Sequence, residues 1–330
     1  MKHLLIIISI LLLSSPLFGQ SFVSVGNSGT ILTSSDGISW TKRTSGKWEY
    51  LKGVTYGNGL FVTDGNSGTI LTSPDGNSWT KRTSGTYNSL YDVTYGNNKF
   101  VTVGKSGTIL TSSDGTTWTS RTSGTNVGLN GVTYGNGLFV TVGWGTILTS
   151  SDGTTWTERT SGTSEYLRGV TFGNGLFVTV SLGGTILTSS DGTSWDNRTS
   201  GTSNIIVGVT YGTELFVIVD EYGNILTSSD GTSWDNKTSG TSEYLFGVIY
   251  GNGTFMTVGM SGTILTSSDG TTWDNRTSGT SEYLTGVTYG NDTFVIVGYS
   301  GTILTSSDRT SWDNRTSGTS IILEGVTYSQ

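Results

Sequence analysis

The sequence predicts an all-β fold, and three observations carry the prediction. One unit recurs along the chain, marked by Trp40, Trp79, Trp118, Trp156, Trp195, Trp234, Trp273 and Trp312, with 39 residues between successive tryptophans except for one interval of 38. Each unit holds four short stretches rich in Val, Ile, Thr, Tyr, Phe and Trp, residues that fit a pleated surface, with glycine-containing turn sequences between them. The fragments left over at the two ends complete each other. Four strands in a unit of this length make one blade of a β-propeller. The expected architecture is an eight-bladed propeller of four antiparallel strands per blade, closed by the carboxy-terminal strand, over residues 20–330 as one domain.

Residues 1–19 read as a cleavable export signal. Lys2 and His3 give a basic start, Leu4 to Leu13 is apolar except for Ser9, and Gly19 offers a small residue for cleavage. The apolar run is too short to span a bilayer, which takes about 20 residues. The expected location is therefore periplasmic or extracellular, with Gln20 as the first mature residue and no membrane insertion.

Within each unit the first strand is Gly-Val-Thr-Tyr, as at Gly53 to Tyr56. The second is Phe-Val-Thr-Val, as at Phe100 to Val103, and the third Thr-Ile-Leu-Thr-Ser, as at Thr108 to Ser112. A fourth is expected from the Trp onward, as at Trp118 to Ser123. No stretch has helical apolar periodicity. The chain opens on a second strand, Phe22 to Val25, and finishes on a surplus first strand, Gly325 to Tyr328. An open solenoid, the alternative repeat architecture, gains nothing from that offset and usually carries distinct end caps. A ring uses the offset to close its last sheet and leave no edge there.

Composition excludes much chemistry. The chain has no Cys and one His, His3, inside the export signal. Thiolate and histidine metal sites and His-dependent triads are thus not expected, nor is any metal or cofactor. A formal charge of −7 provides no basic footprint for nucleic acid. Most arginines, namely Arg43, Arg82, Arg121, Arg159, Arg198, Arg276 and Arg315, take one repeat-equivalent position. A ring spreads such residues around its circumference, so they cannot converge on one substrate carboxylate. Only Arg168 and Arg309 fall elsewhere. The four non-uniform acids Glu49, Glu165, Glu221 and Glu324 leave a glycosidase carboxylate pair as a minor alternative. The expectation is a protein that is not an enzyme.

The element Ser-x-Asp-Gly-x-x-Trp resembles the Asp-box, or BNR, repeat of sialidase-like propellers. Here Trp follows Asp by four positions, as in Asp114 to Trp118. The wider pattern, Leu-x-Gly-Val-x-Tyr, Phe-Val-x-Val-Gly and Gly-x-Ile-Leu-x-Ser-x-Asp-Gly, is similar to the photosystem II assembly and stability factor group of propellers. The first resemblance implies that the aspartates, Asp36, Asp75, Asp114, Asp152, Asp191, Asp230, Asp269 and Asp308, hold the hairpin between third and fourth strands. Asp308 is followed by Arg309 where the other units have Gly. If that position is left-handed, Arg costs about 1–2 kcal/mol there. The second resemblance implies an assembly or scaffold role in an envelope complex.

Two positions differ in nearly every unit. One is expected just before the first strand: Lys52, Tyr91, Asn130, Arg168, Val207, Phe246, Thr285 and Glu324. The other lies between second and third strands: Asn27, Asn66, Lys105, Trp144, Leu182, Glu221, Met260 and Tyr299. Segments near the first set vary too, including Trp48, Tyr50 and Tyr87, while three units share Glu-Tyr at 165–166, 243–244 and 282–283. In an up-and-down blade both positions emerge on one face, and the uniform turns on the other. The variable face is therefore the expected recognition surface for a protein or glycan partner. Its candidate contact residues are Trp48, Tyr50, Lys52, Tyr87, Tyr91, Lys105, Trp144, Arg168, Glu221, Tyr222, Phe246, Met260, Tyr299 and Glu324. Tyr and Trp among them suit interface anchoring and sugar stacking. A monomer is expected.

Overall fold

The structure, a computed structural model, describes residues 19–46 and 49–329. Residues 1–18 of the stretch read above as an export signal, and Trp48, lie outside the described residues. The chain forms eight four-stranded antiparallel sheets, each in the order of its sequence from the ring axis outward, except for the one that joins the two ends. Blade 1 combines Leu323–Tyr328 with Phe22–Gly26, Ile31–Ser34 and Thr41–Arg43. Blade 2 is Leu51–Gly57, Leu60–Gly65, Ile70–Ser73 and Thr80–Arg82, and blades 3 to 8 repeat that pattern from Leu90, Leu129, Leu167, Ile206, Leu245 and Leu284.

Blade 1 closes the ring. Phe22 pairs with Tyr328 and Val25 with Gly325, the two ends of the chain meeting in one ladder. Beyond the ladder, the Ser21 amide donates to Ser329 Oγ at 2.7 Å and the Ser329 amide to Ser21 O at 3.0 Å. The Tyr328 hydroxyl donates to Gln20 Oε1 at 2.7 Å.

The core is eight apolar clusters, one at each blade interface. Val62 and Ile70 of blade 2 pack on Leu90, Phe100, Leu110 and Trp118 of blade 3. Val295, Val297 and Ile303 of blade 8 pack on Phe22, Leu32 and Leu323 of blade 1, so the last interface is built like the rest. Each sheet is thus covered on both sides, which is why its inner strands read as near-continuous apolar runs. In blade 3, fully buried Phe100 sits 4.7 Å from the ring of Tyr95 and 6.4 Å from Trp118. The glycine ending the first strand of blades 2 to 8 has a steric cause: a Cβ on Gly96 would lie 2.2 Å from Tyr134 of the next blade.

Two sequence expectations are corrected. The outermost strand does not start at the Trp; it is short, Thr119–Arg121 in blade 3, and Trp118 belongs to the preceding turn. The first variable position does not precede the first strand. Lys52 is the second residue of Leu51–Gly57, where the ladder slips between Leu51 and Val54 in a β-bulge. A bulge re-aims the side chain beside it, and here it leaves Lys52 exposed at the ring's inner edge.

Candidate functional site

The two faces of the disc are built from different turns. On the uniform face, first and second strands join through Asn58-Gly59 and its equivalents, both residues having positive φ (48° and 72°), as type I′ hairpins require. Third and fourth strands join through the aspartate turn. Asp36 Oδ1 accepts from Ser34 Oγ at 2.9 Å and from the amides of Ile38 and Ser39 at 2.8 Å. Trp40 Nε1 donates to Gly37 O at 2.8 Å. Asp75, Asp114, Asp152, Asp191, Asp230, Asp269 and Asp308 accept in the same way. The donors hold all eight carboxyls below the usual carboxylate range. For Asp36 the Ser39 amide is the main cause, and for Asp191 the Thr193 hydroxyl.

Blade 8 is the exception on that face. Arg309 stands in the left-handed region at φ 68°, where the other hairpins have Gly. Its guanidinium reaches Thr254 Oγ1 at 3.1 Å. Trp312 Nε1, alone among the described buried side-chain polar atoms, has no hydrogen-bond partner. Cavities of about 310 and 130 Å³ flank this hairpin.

On the opposite face, the turn between second and third strands is tied to the loop entering its own blade. The Asn66 amide donates to Tyr50 O at 2.9 Å, Lys105 to Ser89 O at 2.8 Å and Tyr299 to Tyr283 O at 2.8 Å. Both variable positions therefore lie at one end of every blade. In blade 4, one residue short here, Trp144 bridges to Tyr166 and stays 63% exposed.

Around the axis, this face opens into two adjoining cavities. One, of about 490 Å³, is lined by Asn27, Tyr50, Lys52, Asn66, Tyr91 and Glu324. The other, of about 650 Å³, shares Lys52 and Tyr91 and adds Asn130, Tyr166, Arg168, Leu182 and Val207. Lys52 Nζ lies 4.5 Å from the Tyr91 ring centroid, a cation–π contact. The Tyr166 hydroxyl donates to Asn130 Oδ1 at 2.6 Å, and Asn130 Nδ2 to Leu167 O at 2.9 Å. Neither Lys52 nor Arg168 is in a salt bridge; the ion pairs among the described residues join outer-strand neighbours such as Arg198 and Asp196.

Beneath the mouth lie two carboxylates that composition and spacing did not single out. Asp64 accepts from the Gly53 amide at 3.1 Å and from Thr102 of the next blade at 2.5 Å. Asp92 accepts from the Val93 amide at 2.9 Å and from the Val132 amide of the next blade at 2.8 Å. They fasten blades 2, 3 and 4 together. Desolvation pushes Asp64 up to about 6 and Asp92 to about 7, the charge of Asp64 adding to the rise at Asp92. Each interrupts a position that is otherwise constant: Asp64 replaces Val of Phe-Val-Thr-Val, and Asp92 replaces Gly of Gly-Val-Thr-Tyr.

The candidates divide accordingly. Tyr50, Lys52, Tyr91, Arg168 and Glu324 meet at the two cavities. Phe246 and Tyr299 join a separate row of rings with Tyr244 and Tyr283, neither of which was a candidate. Tyr87 is 94% exposed, and neither cavity includes it. Glu221 is engaged locally, its Oε1 accepting from the Ile205 amide at 3.2 Å, while neighbouring Tyr222 is 60% exposed. Lys105 and Met260 open the 3₁₀ turns of blades 3 and 7.

No protein-family model and no curated protein matches the chain. Solved structures do. The computationally designed Ika8 protein superposes with a TM-score of 0.73 at 14% identity, over 86% of this chain and 91% of that one. BamB from Moraxella catarrhalis gives 0.64 at 11% identity, over 88% and 90%. YCF48 bound to D1 peptide gives 0.55 at 20% identity, over 69% and 81%. The likeness is one of fold: this chain is an eight-bladed β-propeller similar in architecture to YCF48 and BamB.

Proposed function

We propose that the chain is an exported, non-catalytic binding propeller whose partner, a protein segment or a glycan, docks on the variable face. One observation carries this reading. Residues that differ from blade to blade converge on adjoining cavities of about 490 and 650 Å³, in a scaffold whose other face is nearly invariant. A cleft of that size with a few converging polar groups is where ligands bind. The non-catalytic part rests on where the arginines go. Arg43 Nε donates to Thr33 Oγ1 at 2.7 Å, and the arginines of other outer strands repeat the bond, so they are spent on the rim. Arg168 lines the mouth while Arg309 sits in a hairpin of the other face, so the two cannot grip one substrate. We read the repeats as Asp-box-like, on the strength of the carboxylate-centred hairpin.

A scaffold role in an envelope complex is the second reading. Among propellers of this shape, YCF48 has been solved with a peptide, and another is part of a nidogen–laminin complex. That favours a protein partner over a glycan. The test is a glycan array together with crosslinking in an envelope extract, run on the wild type and on Trp144→Ala/Arg168→Ala/Tyr299→Ala. Loss of the captured species in the variant supports the reading, and retention of all of them overturns it.

A further inference from the structure

The far side of the same face, on blades 7 and 8, carries a different chemistry. Tyr244 and Phe246 lie 4.7 Å apart by ring centroid, Phe246 and Tyr283 6.2 Å, and Tyr283 and Tyr299 5.2 Å. The four rings form one row across the junction of two blades. Tyr283 is 38% exposed and Tyr299 37%. Ordinary core packing does not account for the row: the blade core uses Tyr250 with Phe255 and Tyr289 with Phe294.

One carboxylate is held beside it, and a second acidic residue sits in the adjoining loop. Glu243 Oε2 accepts from Ser261 Oγ at 3.1 Å, which sets it beside the turn of blade 7. The Gly262 amide donates to Glu282 O at 2.9 Å, which brings the loop of Glu282 and Tyr283 against that turn. Residues 239–263 and 278–302 contain no Lys or Arg. Ring faces are the negative end of the aromatic quadrupole, and the neighbouring charges here are negative as well. Lys52 and Arg168 serve the cavities of the other side.

We propose that this aromatic row is a docking site for a basic side chain, arginine or lysine, of a protein partner. The proposal rests on the reading of the variable face as the binding face and names the partner chemistry for one half of it. Arginine stacks flat on tyrosine and phenylalanine faces and pairs with carboxylates in the same pose. A neutral sugar would use the rings and leave the two glutamates without a counter-charge.

The test uses fluorescein-labelled hexa-arginine, hexa-glutamate as its charge-reversed control, and cellohexaose as the neutral-sugar probe, with anisotropy or calorimetry as readout. The wild type is expected to bind hexa-arginine and neither control. Phe246→Leu/Tyr283→Leu/Tyr299→Leu leaves the charge unchanged and is expected to weaken hexa-arginine by about tenfold, the worth of two exposed cation–π contacts. Glu243→Gln/Glu282→Gln keeps every ring, is expected to weaken it similarly, and decides the matter if the leucine variant melts early. Lys42→Ala/Lys81→Ala, on exposed outer strands away from both cavities, is expected to leave this affinity intact. Unchanged hexa-arginine binding by the ring and glutamine variants would reduce the attraction to the chain's overall acidity and overturn the proposal. Ring-dependent binding of cellohexaose in preference to hexa-arginine would overturn it too. In either case partner capture that still depends on Trp144 and Arg168 would leave the binding-face reading standing.

Discussion

Aspartate does opposite work on the two faces of this disc. On the uniform face eight aspartates, all exposed except half-buried Asp75, each accept two backbone amides, and those bonds hold the ionised form. On the other side Asp64 is buried and Asp92 half-buried, and desolvation outweighs their hydrogen bonds. The same residue thus marks a repeated structural joint in one place and a local departure in another. What separates them is dielectric environment, which a repeat sequence does not state. The lesson extends to the faces as wholes: one is fixed by turn geometry, the other is free to change from blade to blade.

The comparison can be broken at several points. The largest effect is expected in the core that both faces share. Trp118→Ala empties a buried site and should cost about 3–5 kcal/mol in chemical denaturation. Trp144→Ala, at a 63% exposed residue of the variable face, should stay within about 0.5 kcal/mol. Similar costs for the two would mean that the variable face is structural.

The pH dependence of stability sharpens the contrast. Asp64 and Asp92 have raised values when folded, so between the unfolded value of 3.8 and about 7 the native state holds more protons. Stability therefore falls as pH rises through that window. The hairpin aspartates are lowered, so their contribution is lost as pH falls below the usual carboxylate range. Melting temperature should peak between about pH 4 and pH 6. Asp64→Val/Asp92→Gly, which restores the repeat pattern, should flatten the neutral limb and add about 2 kcal/mol at pH 8. A limb unchanged in that variant would place its cause elsewhere.

A smaller effect lies in the one irregular hairpin of the uniform face. Arg309→Gly relieves a left-handed non-glycine residue and gives up the bond to Thr254. The net gain should be about 1 kcal/mol, read as a higher urea midpoint. A loss would show that the Arg309–Thr254 contact outweighs the backbone strain.

Most of the fold was legible because each unit states its strands and turns again, and the offset at the ends names the closure. The division into two faces was legible for the same reason: up-and-down connectivity fixes which turns share a side. The placement of Lys52 inside a strand was read one residue off, because the register slips between Leu51 and Val54; Gly53 within that slip is the residue type that marks a bulge in a strand. Asp64 and Asp92 give a fainter signal than positions that vary in every unit, since each is a single break in a constant position. Tyr244 and Tyr283 carry a weak signal for a related reason, since Glu-Tyr recurs in three units and so does not set these two apart. Their importance comes from Phe246 bridging two blades, a distance that only the folded ring supplies.

The central claim, that one face of the ring does the binding, has a direct measurement. A photo-crosslinking amino acid is placed at Tyr50 or Tyr299 on the variable face, and at Asn77 or Thr116 on the uniform face, all solvent-accessible positions. Each protein is irradiated in an envelope extract and its adducts are identified by mass spectrometry. The account predicts partner adducts from positions 50 and 299 and none above background from 77 and 116. Equal yields from both sides, or adducts from the hairpin side alone, would contradict it.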